Sequence, residues 1–178
     1  MNWQALYRQI AVLVPGSPAL ADERPFIYVD SDRQEMHWID IDSSEDRVYA
    51  ISTSAKGIGC RKDSHQTPHG VHRVKQKIGG GQPSGMVFKG REPTGELFDP
   101  YEIGEDEITS RILWLDGMEA GVNKGGVHDS YERYIYIHGT SDERRIGRPV
   151  SKGCIRMKNA DVIELFDDVV INDLVIIR

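Results

Sequence analysis

The chain has 178 residues, and its 22 Lys and Arg against 28 Asp and Glu give a net charge of −6. This length is typical of a single domain with a substantial core. The negative balance argues against nucleic acid or an anionic membrane as the main partner, because both reward a basic surface. No apolar run approaches the roughly 20 residues that cross a bilayer.

The first predicted element is a short amphipathic helix with Asn2 as its cap. Its apolar residues recur every three or four positions: Trp3, Leu6, Ile10 and Leu13. A secretory signal is the competing interpretation, because residues 19–21 resemble a cleavage site. The apolar run over residues 10–14 is shorter than the roughly 7–15 residues of a signal core. We therefore expect a cytoplasmic location, with a periplasmic one as the alternative if residues 1–21 act as an atypical signal.

From residue 26 onward the pattern changes to short β-prone runs. The predicted strands are 26–29, 36–41, 47–52, 71–78, 112–115, 134–137 and 174–177. One internal helix is predicted over Asn159 to Asp168, capped by Asn159 and with one apolar face: Val162, Leu165, Phe166 and Val169. Residues 79–109 are rich in Gly and Pro and are predicted to be irregular, and the acidic run 102–107 is interpreted as a solvated loop. The expected fold class is mainly β (α+β).

A histidine and a cysteine in the last third of the chain carry the chemistry. His138 ends a predicted strand and is followed by Gly139, while Cys154 follows Gly153 and precedes the predicted helix. A thiol nucleophile needs a nearby base. A cysteine after a glycine turn can present its sulfur while backbone N–H groups point at a developing oxyanion. We expect the dipole of the following helix to favour the thiolate.

The two cysteines are predicted to be free thiols, because a disulfide scaffold normally has more of them in a shorter chain. Zinc is an alternative for a group within thirteen residues: Cys60, His65, His69 and His72. Their spacing fits no common structural zinc pattern. We expect no metal and no other cofactor, and an ordinary half-buried thiol at Cys60.

These residues together resemble the L,D-transpeptidase (YkuD-like) catalytic domain, whose hallmark is a His-Gly pair and then a Ser-His-Gly-Cys turn. Here the pair is His138-Gly139 and the turn is Ser151-Lys152-Gly153-Cys154. Residues 67–74 resemble the family's Thr-Pro-x-Gly-x-aromatic-x-aliphatic element. The resemblance covers roughly 26–178 and implies a mixed β-sandwich catalytic domain with one helix after the cysteine, preceded by a helix and extension over 1–25.

The resemblance implies a cysteine acyl-transfer enzyme that acts on peptidoglycan stem peptides. Cys154 would attack the carbonyl of the third residue, a diamino acid joined to terminal D-alanine. His138 would take the thiol proton, and the Gly139 carbonyl would orient the imidazole. The N–H groups of Gly153 and Cys154 would stabilise the oxyanion.

Three further side chains of this segment have more than one interpretation. Arg156 is suited to a substrate carboxylate, because guanidinium pairs with it bidentately, and a structural salt bridge is the alternative. Lys152 stands where the family commonly has His and would add positive charge beside the sulfur. Ser151 would hydrogen-bond within the turn.

The resemblance leaves the acceptor of the acyl group open. Water gives L,D-carboxypeptidase activity, and a cytoplasmic member would meet soluble muropeptides returning for recycling, so hydrolysis is our leading expectation. The alternatives are an L,D-transpeptidase that forms cross-links or exchanges D-amino acids, and a non-catalytic module that binds peptidoglycan peptides. Carbapenems are expected to acylate the cysteine.

Overall fold

The computed structural model describes residues 2–14, 24–99, 101 and 106–178. Its helices and strands are, in chain order, α1 (Trp3–Leu13), β1 (Phe26–Asp30), β2 (Glu35–Asp40), β3 (Glu45–Ser52), β4 (Gly70–Ile78), β5 (Met86–Lys89), β6 (Glu92–Leu97), β7 (Ile108–Gly117), β8 (Tyr136–Thr140), β9 (Ile155–Met157), α2 (Asn159–Asp168) and β10 (Leu174–Ile177). This mostly β fold with one early and one late helix confirms the expected fold class.

Eight of the described strands close into a ring. Their order is β4-β10-β1-β2-β3-β9-β8-β7, and β7 pairs back with β4. The β1–β10 and β8–β9 pairs are parallel, and the other pairs of the ring are antiparallel. β5 pairs with β7 and carries β6 outward as a hairpin. The parallel β8–β9 pair is the part of the ring that positions the candidate site.

α2 covers the main hydrophobic core. Val162, Leu165, Phe166 and Val169 are all buried in that core, so the predicted apolar face is confirmed. The predicted cap is wrong. The capping position is Lys158, which makes no side-chain capping bond, and Asn159 is the first helical residue.

α1 packs on the outside of the ring through a second cluster. Asn2 caps the helix by accepting the Ala5 N–H at 3.0 Å, as predicted. Leu6, Ile10 and Val14 are buried, a spacing of four that places them on one face. Leu13 was predicted on that face but is 54% exposed. Burial of such a side chain contributes about 2 kcal/mol, so the helix is an integral part of the fold.

Two stretches differ from their predicted structure. Residues 79–109 were expected to be irregular, but they include β5, β6 and the start of β7. The strand expected at 134–137 begins at Tyr136, because Tyr134 has a positive φ of 57° and belongs to a turn. The short strand β9 had not been predicted. In the described part of the chain, no helix combines the length and apolarity needed to span a bilayer.

Candidate active site

The β8–β9 pair brings the predicted cysteine against the strand that carries the predicted histidine. His138 lies opposite Arg156 in the parallel register, and Cys154 immediately precedes β9. The Tyr136 N–H donates to the Cys154 Sγ at 3.4 Å, and the thiol donates to the Tyr134 carbonyl at 3.4 Å. Cys154 is half-buried, so its sulfur is not sealed inside the core, and both cysteines are free thiols as expected.

The imidazole of His138 is held by the residue that follows it. Its Nδ1 lies 2.7 Å from the Gly139 carbonyl oxygen. Since that carbonyl can only accept, Nδ1 carries the proton and the neutral ring presents Nε2 as its basic atom. Burial lowers the pKa of His138, while the Gly139 bond and Asp106 oppose the shift. The ring is therefore neutral at neutral pH and able to accept a proton.

Gly139 is required by the space around β8. A Cβ there would lie 2.6 Å from the Thr109 carbonyl oxygen and 2.8 Å from Asn159 Oδ1. Contacts this short do not occur between such atoms without a shift of the backbone. The Gly after the histidine therefore lets β8 lie against β7 and α2 while its carbonyl still faces the imidazole.

The thiol of Cys154 is protonated at neutral pH. Burial raises its pKa to about 11, although the Tyr136 N–H and the charges of Arg156 and Arg133 lower it. The prediction that the dipole of the following helix favours the thiolate is wrong, because β9 separates the cysteine from α2. The resting site therefore holds a neutral thiol and a neutral imidazole. The Lys152 side chain is exposed.

The turn before the sulfur is fixed by Ser151. Its hydroxyl donates to the Cys154 carbonyl at 2.6 Å and accepts the Gly153 N–H at 3.1 Å. The Gly153 N–H is thus bound to the Ser151 hydroxyl, and its expected part in stabilising an oxyanion stays a prediction. Among the described residues, the N–H groups of Lys152 and Cys154 have no protein acceptor, so they remain available to a ligand.

Arg156 is paired within the protein. It is buried, and its Nη2 lies 2.8 Å from Asp106 Oδ2. Its Nη1 is buried without a hydrogen-bond partner. The structural salt bridge considered for Arg156 is therefore present. The unpaired Nη1 leaves one donor that could bind a substrate carboxylate. Sequence reasoning missed Asp106, which it placed in a solvated loop; residues 102–105 of that run lie outside the described residues.

Asn159 ties three elements together behind the site. Its Oδ1 accepts from the hydroxyls of Thr109, at 2.6 Å, and Ser110. Its Nδ2 donates to the Thr140 carbonyl at 3.0 Å and to Glu143 at 2.7 Å. The side chain therefore fixes β7 and β8 relative to α2, which is the role that replaces the predicted cap.

Two of the four residues considered for zinc are engaged elsewhere. The Cys60 thiol points to the His69 carbonyl at 3.7 Å. Both ring nitrogens of His72 have partners, the Gly70 carbonyl at 3.1 Å and the Ser130 hydroxyl at 2.9 Å. Within the described ranges, no three His, Cys, Asp or Glu side chains are grouped to share a metal ion.

Comparison with known proteins identifies a matching family. The model of the L,D-transpeptidase catalytic domain matches residues 24–177. The chain is 26% identical over 153 residues to YqjB of Bacillus subtilis (strain 168), covering 86% of this chain and 70% of YqjB. It is 50% identical over 48 residues to YkuD of the same strain, covering 24% of this chain and 29% of YkuD. Both relatives are named as candidate L,D-transpeptidases.

A solved structure shares the fold. L,D-transpeptidase 3 from Mycobacterium tuberculosis, in complex with a faropenem-derived adduct, superposes with a TM-score of 0.53 at 13% identity. The match covers 87% of this chain and 61% of that one. The chain thus spans less than two thirds of the length of YkuD and of this structure.

Proposed function

Because the chain belongs to the L,D-transpeptidase catalytic-domain family, we propose that it is a cysteine enzyme that hydrolyses the bond between the third-position diamino acid and the terminal D-Ala of peptidoglycan tetrapeptides. The observation that carries this proposal is the half-buried Cys154 thiol held against β8 by the N–H of Tyr136, two residues before His138. The Gly139 carbonyl fixes the imidazole at 2.7 Å and leaves Nε2 basic.

The proposed reaction passes through a thioester. Nε2 of His138 takes the thiol proton as the Cys154 sulfur attacks the carbonyl carbon, and the imidazolium then gives this proton to the departing D-Ala amine. Water attacks the thioester, with His138 again as base, and releases the tripeptide and the thiol. Since burial raises the pKa of the thiol and lowers that of the imidazole, proton transfer accompanies attack and does not precede it.

Backbone donors support the tetrahedral intermediate in this proposal. The Cys154 N–H is available beside the attacking sulfur, and such a donor contributes about 3 kcal/mol to lowering the barrier. The orphaned Nη1 of Arg156 offers a further donor. Because Asp106 already neutralises its charge, Arg156 assists mainly as a hydrogen-bond donor.

Transfer to an amine is the second candidate reaction. The names of YqjB and YkuD favour it, since both are grouped with transpeptidases. An amine of another stem peptide or a free D-amino acid would then replace water at the thioester. The two reactions share every step up to that point and differ only in the acceptor.

The test is D-Ala release from a purified tetrapeptide muropeptide, followed by mass spectrometry. Wild-type protein should release D-Ala and leave the tripeptide, while Cys154→Ala should release none. Cys60→Ala is the matched control, because this thiol lies against the His69 carbonyl, and it should retain full activity. Binding of the muropeptide without any release by the wild type would refute the enzyme and favour a binding module.

A second arm separates the two acceptors. With D-methionine or glycine added in excess, hydrolysis still yields the tripeptide. Transpeptidation instead yields a tetrapeptide with the new residue at its end. A product that is mostly the exchanged tetrapeptide would contradict the carboxypeptidase assignment and leave the acyl-transfer chemistry intact.

The proposal includes soluble muropeptides in the cytoplasm as substrates, for recycling. The packing of α1 supports this location, because Leu6, Ile10 and Val14 are buried against the strands and contribute to the fold. Fractionation of cells with an antibody should find the protein in the cytoplasm. Recovery from the periplasm of a form that lacks α1 would contradict it.

Acylation by β-lactams is the last part of the proposal. The faropenem-derived adduct in the M. tuberculosis relative supports it. A carbapenem should add its mass to wild-type protein at Cys154 and leave Cys154→Ala unmodified. An adduct that persists in Cys154→Ala would contradict this assignment.

A further inference from the structure

A cavity of about 440 Å³ lies beneath the β5–β6 hairpin. Trp114 of β7 forms part of its wall, and so do Arg91 and Gln76. Trp114 belongs to a hydrophobic cluster with Tyr136, against which Cys154 packs. The cavity and the sulfur therefore border the same cluster of side chains.

Arg91 occupies an unusual backbone position at the tip of this hairpin. The two-residue turn between β5 and β6 is Gly90-Arg91, with φ of 60° and 73°. Such turns favour Asn or Gly at both central positions, because a Cβ is disfavoured in this region. An arginine tolerated there points to a role for its side chain, as local strain is found at binding sites more often than elsewhere.

The Arg91 side chain folds back over an aromatic surface. Its guanidinium lies 5.1 Å from the ring centroid of Trp114 and 5.1 Å from that of Tyr134. Its Nη1 donates to the Tyr136 hydroxyl at 3.4 Å. In the described ranges Arg91 forms no ion pair, whereas Arg73 and Arg156 each pair with an aspartate. The Arg91 guanidinium is thus held in place by the aromatic side chains, and some of its N–H donors remain available to an anion.

The aromatic surface connects Arg91 to the nucleophile. Tyr134, whose ring faces the guanidinium, and Tyr136, whose hydroxyl accepts from it, also contact the Cys154 Sγ through their backbones at 3.4 Å each. Each tyrosine therefore links the guanidinium, at the end of its side chain, to the sulfur, at its backbone. In a bound stem peptide, the terminal carboxylate is one residue from the carbonyl under attack, which spans about 3.5 Å of backbone.

We infer that Arg91 binds the terminal carboxylate of the stem peptide and thereby restricts cleavage to the last residue. This inference rests on the proposed function for its substrate class. Guanidinium suits the role because it pairs bidentately with a carboxylate. A substrate extended beyond D-Ala would place an amide where Arg91 requires a charge.

The test measures binding without turnover, by calorimetric titration of the Cys154→Ala protein with tetrapeptide muropeptide. The free-carboxylate peptide should bind about 10- to 100-fold more tightly than the same peptide with a terminal amide, which corresponds to the strength of a charged hydrogen bond. Adding Arg91→Gln should abolish that preference, and Arg91→Lys should retain part of it. The matched control is Lys89→Gln, because Lys89 is an exposed cation at the end of β5, next to the turn, and it should change nothing.

Three outcomes would overturn the inference: an unchanged preference in Arg91→Gln, an absence of preference, and an absence of binding. A third peptide, amidated on the diamino acid and free at its terminus, tests whether Arg91 binds the carboxylate of the diamino acid instead. The inference would also be overturned if binding weakens only with that third peptide and if this weakening depends on Arg91. A wild-type protein that shows the preference but releases no D-Ala refutes the proposed function and leaves Arg91 as a carboxylate-binding residue.

Discussion

Alkylation of Cys154 should be slow at neutral pH and should accelerate strongly in alkali. With a pKa of about 11, about one thiol in 10,000 is ionised at pH 7, against about one in 100 for a cysteine with the ordinary pKa of 9.0. The folded protein should therefore react with iodoacetamide about 100-fold more slowly at Cys154 than the unfolded chain does. Burial is the cause, since the nearby Arg156 and Arg133 act in the opposite direction.

The assay is site-resolved mass spectrometry of carbamidomethylated peptides from pH 6 to pH 11. The rate at Cys154 should rise throughout this range without a plateau. The same peptide from protein unfolded in guanidinium is the control, and it should level off near the ordinary thiol pKa. A plateau near pH 7 in the folded protein would refute the neutral resting pair and indicate a thiolate–imidazolium pair.

Three further results are expected. Because burial lowers the pKa of His138 from its ordinary value of 6.5, protonation of this base should halve D-Ala release only below pH 6.5; half-loss above pH 6.5 would contradict this. Gly139→Ala should lower the free energy of unfolding by about 1–3 kcal/mol in urea denaturation, since its Cβ would meet the Thr109 carbonyl at 2.6 Å, and an unchanged midpoint would exclude the close approach. Asp106→Asn should lower the free energy of unfolding by about 3 kcal/mol, because it leaves the buried Arg156 without its counter-charge. A variant as stable as wild type would show that the pair is not buried in solution.

The strands with regular apolar alternation could be predicted from the sequence, whereas the β5–β6 hairpin could not. β1 to β4 and β10 bury one or both faces, so their side chains repeat in a readable pattern. β6 has every residue exposed and contains Pro93 and Gly95, so nothing in it alternates. It forms because β5 offers an edge, which is a tertiary contact.

The residues of the candidate site could be singled out from the sequence, but their electrostatics could not be predicted. The His-Gly and Gly-Cys pairs indicated a candidate base and nucleophile because close packing and a tight turn limit which residues fit there. The pKa of the thiol could not be predicted, since it depends on burial by side chains distant in sequence. The Asp106–Arg156 pair was missed for the same reason, as charge runs in a sequence do not reveal which residue folds inward.

Acid-quenched mass spectrometry of the protein during turnover of tetrapeptide muropeptide tests the central claim most directly. We expect an adduct of tripeptide mass, joined as a thioester to the peptide that contains Cys154 and absent from His138→Gln. An adduct on another residue, or D-Ala release by Cys154→Ala at the wild-type rate, would contradict it.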